Sequence, residues 1–176
     1  MKNNLFILIF FLLVGCTPNT VINTNAAVKK SCPIVLFSSE HNQYIAGNTQ
    51  PITTDNIRYR AEINNYAFNS ECLIKDNIFQ AELSLLFIVK PDLTEESRIT
   101  LPFYVAVLNI NDEVVDMQYY QADGDFMSES ENVNYIETEL TKTINLQISS
   151  LNEDGLNQNK VVVGFMLDKK KLGILN

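Results

Sequence analysis

Strict alternation of apolar and polar side chains is the feature of this sequence that most limits its fold. Within residues 78–90 the apolar side chains that recur at every second position are Phe79, Ala81, Leu83, Leu85, Phe87 and Val89. Successive side chains of a strand point to opposite faces, so this period of two places all of them on one face of a sheet. The side chains on the other face are polar in the first half of the segment. In its second half, Leu86 and Ile88 make that face apolar as well. The pattern predicts a long strand that runs from half-exposed to central in its sheet.

The same period recurs in shorter segments along the chain. Strands are predicted at residues 34–38, 58–63, 99–108, 114–121, 140–149 and 161–167. Residues 109–113 are polar and predict the turn of a hairpin. Pro102 cannot donate to a ladder, so it is expected near the start of its strand or at a bulge.

Seven strands joined by short polar turns predict an all-β fold, an antiparallel β-sandwich of the immunoglobulin or fibronectin III type. The sequence has no Trp, so the tryptophan core of true immunoglobulin domains is absent and the likeness is one of architecture. A small barrel stays open as the alternative, because strand number and alternation do not separate the two folds. A short C-terminal helix is the only helical candidate, at residues 168–176.

Residues 1–15 have the layout of a secretory signal peptide. Lys2 precedes an apolar core, and Gly15 stands directly before Cys16. A cysteine in this place resembles the bacterial lipobox, which predicts that Cys16 receives acyl chains and becomes the first residue of the mature chain. The alternative is an uncleaved membrane anchor. A span needs about 20 apolar residues, and the core here is only half as long, which favours the lipoprotein.

The predicted organisation has three parts: a signal peptide at residues 1–15, a lipidated cysteine with a flexible tether at residues 16–31, and one domain at residues 32–176. A hydrophobic content of 46% is ordinary for a folded domain. The formal net charge of -8 disfavours nucleic acid or anionic lipid as a partner, because both bind clustered Lys and Arg.

Cys32 and Cys72 are the only cysteines besides Cys16. In a chain exported to an oxidising compartment, they predict a disulfide that stabilises the domain. A redox-active pair is the alternative, but such pairs usually lie close together in sequence. The wide separation of these two favours a structural bridge.

Candidate catalytic and metal-binding residues are few. His41 is the only histidine, and no GxSxG motif surrounds a serine, so His41 is interpreted as a solvated loop side chain and the protein as not an enzyme. The acidic cluster of Asp123, Asp125, Glu129 and Glu131 offers oxygen ligands of the kind that Ca²⁺ prefers, but it lacks the EF-hand spacing. A solvated turn is therefore favoured, and no metal or other cofactor is predicted.

Two charged runs are interpreted as surface features. Glu95 and Glu96 are adjacent, so they cannot flank a sugar as the carboxylates of a glycosidase do. The run of Lys169, Lys170 and Lys171 is typical of a surface tail, with contact to lipid headgroups as the alternative.

Four aromatic residues fall on the predicted hairpin: Phe103, Tyr104, Tyr119 and Tyr120. Alternation places one member of each adjacent pair on the outer face of the sheet. An exposed pair of Tyr104 and Tyr120 is a candidate patch for binding a partner. Packing of these rings beneath a loop is the favoured alternative.

Several segments resemble a group of small uncharacterised lipoproteins of alphaproteobacteria with a single β-sandwich domain. The matching residues are Cys16, Cys32, Pro33, Cys72, the run LPFYVAV at residues 101–107, Val163, Gly164, Phe165 and Leu167. The resemblance implies a Gram-negative envelope. It implies no catalytic or ligand-binding residue.

The function predicted from these features is that of an envelope lipoprotein, held at a membrane by the lipid on Cys16. Its domain is expected to be a non-enzymatic interaction or structural module for an envelope protein or a cell-wall component. The alternative is a periplasmic carrier or sensor of a small ligand, which needs a cavity between the sheets. Thr17 is not the aspartate associated with inner-membrane retention, so the outer membrane facing the periplasm is expected rather than the inner membrane.

Overall fold

The computed structural model describes residues 27–94, 96–128, 134–148 and 159–175. The predicted signal peptide, Cys16, Glu95, Glu129 and Glu131 lie outside the described residues. The elements found within those ranges are β1 (Val28–Lys30), β2 (Ile34–Phe37), β3 (Gln43–Gly47), a 3₁₀ turn (Thr54–Asn56), β4 (Ile57–Phe68), β5 (Cys72–Lys75), β6 (Ile78–Pro91), β7 (Arg98–Leu108), β8 (Val114–Asp125), β9 (Thr138–Ile148), β10 (Lys160–Phe165) and α1 (Lys169–Leu175).

Strand β6 is the centre of the first sheet, which we call sheet I and which contains β1, β3, β4, β5, β6 and β9. Strand β9 runs antiparallel along one edge of β6. Strands β4 and β5 share its other edge, and β3 and β1 pair with them in turn. The alternation predicted for residues 78–90 is confirmed, since the side chains that β6 buries are Phe79, Ala81, Leu83, Leu85, Phe87 and Val89.

The second sheet, sheet II, has the strand order β2-β10-β7-β8. Strands β7 and β8 form the predicted hairpin, and β10 pairs antiparallel with β7. Strand β10 also pairs in parallel with β2, which departs from the purely antiparallel arrangement predicted. At the hairpin turn the N–H of Asn109 donates to the carbonyl of Glu113 at 3.0 Å, and Asp112 has a left-handed φ of 61°.

The two sheets pack face to face around one aromatic core. Phe87 of sheet I lies with its ring centroid 5.4 Å from that of Phe103 and 5.7 Å from that of Phe165, both in sheet II. All three side chains are fully buried. The fold is therefore an all-β sandwich, as the alternation predicts, with burial of these inner faces as its main source of stability.

Three strands of sheet I were not predicted: β1, β3 and β5. Strand β1 lies within the predicted tether at residues 16–31, so the expectation of a tether that extends to residue 31 is wrong. The physical reason is the disulfide, because Lys30 pairs with Cys72 in the β1–β5 ladder and the Cys32–Cys72 bridge follows directly. The last residues before the domain are thereby held against the edge of sheet I.

Pro102 lies in the middle of β7, pairs with Gln121 of β8, and is not at the strand start or at the bulge. The proline is tolerated because β10 ends at Phe165, one pair short of Pro102. Beyond that end, the N–H of Met166 donates to the carbonyl of Pro102 at 3.0 Å. The buried Tyr59 hydroxyl donates to the carbonyl of Thr100 at 2.8 Å and accepts from its N–H at 3.0 Å. The missing N–H of Pro102 therefore falls beyond the last β10–β7 pair, where the carbonyl of Pro102 still accepts a backbone hydrogen bond.

The C-terminal helix predicted at residues 168–176 is present as α1. The carboxylate of Asp168 accepts the N–H of Lys171 at 2.9 Å, which caps the first turn. Ile174 and Leu175 pack against a small second core of Ile45, Ile52 and Ile57. Among the described residues, no helix has the length and apolar character needed to cross a membrane.

Candidate functional site

The outer face of sheet II carries a cluster of exposed apolar side chains. One cross-strand row contains Leu36, Val162, Ala106 and Met117, and its neighbours contain Ile34 with Leu108 and Tyr104 with Tyr119. Val114 and Val115 lie side by side opposite Leu108, where the ladder bulges. We call this set the apolar face: Ile34, Leu36, Tyr104, Ala106, Leu108, Val114, Val115, Met117, Tyr119 and Val162.

Much of the apolar face is open to solvent. Ile34 is 65% exposed, Leu36 44% and Tyr119 63%. The exposed fractions of its six most exposed members together equal about three whole side chains, or about 600 Å² at roughly 200 Å² for a large side chain. This is the upper end of the apolar area that single chains leave uncovered in one patch, and such patches are often functional.

Tyr104 lies at the edge of the apolar face, half-buried over Gly164. A Cβ atom on Gly164 would lie 2.6 Å from the Tyr104 hydroxyl oxygen, so only glycine leaves room for this ring. The hydroxyl and Nδ1 of His41 share a hydrogen bond of 3.1 Å. This geometry is consistent with the prediction that Tyr104 faces outward.

Tyr120 faces inward, so its expected place on the outer face is wrong. The register pairs Phe103 with Tyr120 and Tyr104 with Tyr119. The Tyr120 ring stacks on Phe103, with centroids 5.5 Å apart, and its hydroxyl donates to Gln118. Burial there raises the pKa of Tyr120, and the nearby Asp116 raises it further. The exposed partner of Tyr104 is therefore Tyr119.

His41 is half-buried and is not the freely solvated side chain that was expected. Besides the bond to Tyr104, its backbone carbonyl accepts the N–H of Phe165 at 2.6 Å, which continues the edge of β10. These contacts make His41 a connector between the loop after β2 and sheet II. No sequence signal indicates this contact, because it depends on the tertiary fold.

The carboxylates of the acidic cluster that the structure describes accept hydrogen bonds from uncharged side chains. Asp123 accepts the amide of Gln121 at 2.9 Å and the hydroxyl of Thr100 at 3.0 Å, and the Gln121 bond is the main reason that the pKa of Asp123 is lowered. Asp125 accepts the hydroxyl of Ser97 at 2.9 Å. Among the described residues, no group of three His, Cys, Asp or Glu side chains is placed to hold a metal ion.

The predicted disulfide between Cys32 and Cys72 is present, with the two Cα atoms 5.3 Å apart. Cys32 lies between β1 of sheet I and β2 of sheet II, and Cys72 begins β5. The bridge therefore fastens the outermost strand of sheet II, which carries Ile34 and Leu36, to sheet I.

The two charged runs are only partly described. Glu96 pairs with Arg58 at 3.1 Å, whereas Glu95 lies outside the described residues, as do the side chains of Lys169 and Lys170. Lys171 is docked and is not a free tail residue: its ammonium group lies 4.0 Å from the ring centroid of Tyr44 and donates to its hydroxyl at 2.8 Å. Burial lowers the pKa of Lys171, and Asp168 opposes that shift.

Cavities lined by described residues lie on the outside of the sandwich. One of about 190 Å³ lies between α1 and sheet I, bounded by Tyr44, Arg60 and Leu175. Another of about 450 Å³ is an open hollow on the outer face of sheet I, near Glu82 and Gln147. Neither lies between the sheets, where the predicted alternative of a ligand carrier needs its cavity.

Comparison with known proteins identifies no relative: no family model, no curated protein and no solved structure matches this chain.

Proposed function

We propose that this chain is an exported lipoprotein of the cell envelope, anchored by acyl chains on Cys16, whose β-sandwich is a non-enzymatic binding module. The apolar face is the observation that carries the proposal. A folded sandwich gains nothing from about 600 Å² of uncovered apolar surface, whereas a binding module needs such a surface. The site for binding is then a sheet face rather than a pocket.

Two further observations support export and anchoring. The Leu13–Val14–Gly15–Cys16 sequence has the order of a lipobox, and the disulfide suits an oxidising compartment. About eleven residues separate Cys16 from β1, and no chain of that length reaches further than about 40 Å. That length keeps the sandwich near the membrane surface. The outer membrane facing the periplasm is the proposed location.

Intact mass measurement of the protein from its native host tests the anchor. The expected product begins at Cys16 and carries the added mass of acyl chains. The variant Cys16→Ser should remain unprocessed and should carry no acyl mass, while Cys32→Ser, as the matched control, should still be acylated. An unmodified mature N-terminus in the wild-type chain would overturn the proposed anchoring.

A further inference from the structure

The apolar face lies on strands whose sequences are apolar on both sides. Strand β2 reads IVLF, β10 reads KVVVGF, and β7 contains YVAVL. Near-continuous apolar runs are typical of strands covered on both faces. Among the described residues, sheet I covers the inner face of sheet II, and much of the outer face stays exposed. The sequence therefore has the composition of a sheet with a second layer that the described part of the chain does not supply.

Charge limits what can supply that layer. In the three cross-strand rows of the apolar face the only charged side chain is Lys160, and its ammonium group is paired with Asp112 at 2.8 Å. The chain as a whole has a formal net charge of -8. Most of the surface therefore repels another copy or an anionic lipid headgroup, whereas the apolar face repels neither.

We infer that the apolar face binds the apolar face of a second copy of this chain, so that two sandwiches stack through their sheets II. The inference rests on the proposed role of this face in binding and names its partner. A two-fold contact brings the same patch of both copies together, which an apolar sheet face without net charge permits. Face-to-face stacking of sheets is also the packing that already joins sheets I and II.

The area is adequate for a stable pair. Each partner of a standard protein interface contributes about 800 Å², and the exposed apolar side chains supply about 600 Å² before the polar rim is counted. A membrane could cover a similar area. The exposed carboxylate of Glu113 stands beside the apolar face at the hairpin turn, and burying it in an anionic bilayer is unfavourable. At the rim of an interface between two chains it stays in water, and this favours a second copy over a membrane.

Sedimentation of the full chain, extracted from membranes in detergent, tests the inference. The wild type should sediment as a dimer of chains at micromolar concentration. Leu36→Glu and Met117→Glu place a carboxylate in the apolar face, and each should weaken dimerisation at least tenfold. The matched control is Thr141→Glu, on the exposed outer face of sheet I, which should leave the dimer unchanged. A wild-type chain that stays monomeric, or a Thr141→Glu variant equally impaired, overturns the inference.

Thiol protection in vesicles separates a second copy from other occupants. Leu36→Cys in vesicles that carry many copies should react slowly with a water-soluble maleimide, and at about one copy per vesicle it should react as fast as the control Thr141→Cys. Protection at both densities means that lipid covers the face, and rapid reaction at both means that nothing does. Protection found only in host membranes, and never with the purified chain, identifies a different protein. Each of these three results overturns the inference, while the acyl mass on Cys16 is unaffected by any of them.

Discussion

The outer faces of the two sheets differ in chemistry although their inner faces follow the same alternation. On sheet I the outer side chains bond to one another: the hydroxyl of Ser84 lies 2.6 Å from that of Thr143 and accepts the amide of Asn69 at the same distance. On sheet II the outer positions nearer the hairpin turn form the apolar face, whereas the rows farther from the turn, Thr100 with Asp123 and Arg98 with Asp125, are polar. A polar outer face is satisfied by water and by its neighbours, whereas an apolar one is stabilised only when something covers it. The proposed binding role of sheet II rests on this difference.

The shared inner core should dominate stability, so a substitution there has the largest expected effect. Phe87 contacts both Phe103 and Phe165 across the two sheets. Phe87→Ala removes these contacts and leaves a cavity, which should lower the free energy of unfolding by about 4 kcal/mol. Urea denaturation followed by circular dichroism measures this change. Leu86→Ala, on the half-exposed outer face of the same strand, is the control and should cost clearly less.

The disulfide should matter most for the edge of sheet II. Replacing Cys32 and Cys72 together by Ser releases a loop with a sequence separation of 40 residues, and the expected loss of unfolding free energy is about 3 kcal/mol. Because the bridge fastens β2, hydrogen exchange should accelerate at Val35 and Leu36 before it does in β6. Equal acceleration in both strands would contradict this account of the bridge.

The inner faces could be predicted from the sequence because burial sets their period directly. Residues 78–90 show a period of two, and β6 buries the expected side chains. The cysteine pair was predictable because only two thiols remained. Strands β1, β3 and β5 were missed because three to five residues are too few for a period to emerge, whereas the equally short β2 was predicted because it is a continuous apolar run. Their pairing comes from neighbouring strands rather than from their own sequence.

The outer tyrosine could not be assigned from the sequence because hairpin register decides it. A slip of one residue moves every side chain of a strand to the other face. Here the bulge beside Val107 and the left-handed Asp112 fix the register, so Tyr119 rather than Tyr120 faces outward. Neither feature has an unambiguous sequence signal. The hairpin was therefore predicted from the sequence, with Tyr120 rather than Tyr119 assigned to its outer face.

A substitution at Gly164 tests whether Tyr104 of the apolar face depends on close packing over this glycine. In Gly164→Ala the new methyl group meets the Tyr104 ring at 2.7 Å and the Cβ of His41 at 2.9 Å. The variant should lose about 1–3 kcal/mol of unfolding free energy by crowding, and Tyr104 should become more exposed. Gly173→Ala, which meets nothing within 4 Å, is the control and should not destabilise the chain. A stable Gly164→Ala chain would contradict the packing of Tyr104.

Alkaline pH should weaken the contact between the sheets. Burial raises the pKa of Tyr59, and also that of Tyr44, above the ordinary value of 10.0. Above about pH 10 these phenols ionise in the unfolded chain but stay protonated in the folded one, so the unfolding free energy should fall as pH rises. Well below pH 10 both phenols are protonated in the folded and the unfolded chain, so they should not make the unfolding free energy depend on pH. Urea denaturation at pH 9, 10 and 11 measures the decline, and Tyr59→Phe should reduce its slope. An unchanged slope in that variant would contradict a raised pKa at Tyr59.

The smallest expected effect separates folding from association. Leu36→Gln on the apolar face and Thr141→Gln on the polar one both change exposed side chains, so each should shift the unfolding free energy of a lone chain by less than about 0.5 kcal/mol. Pulse proteolysis in urea at nanomolar concentration measures this. At micromolar concentration the wild type and Thr141→Gln should gain stability, because a partner that binds only the folded state stabilises it by mass action. Leu36→Gln should gain much less. The apolar face would then stabilise the pair of chains and not the single folded chain. An equal gain in stability in all three chains would contradict that assignment.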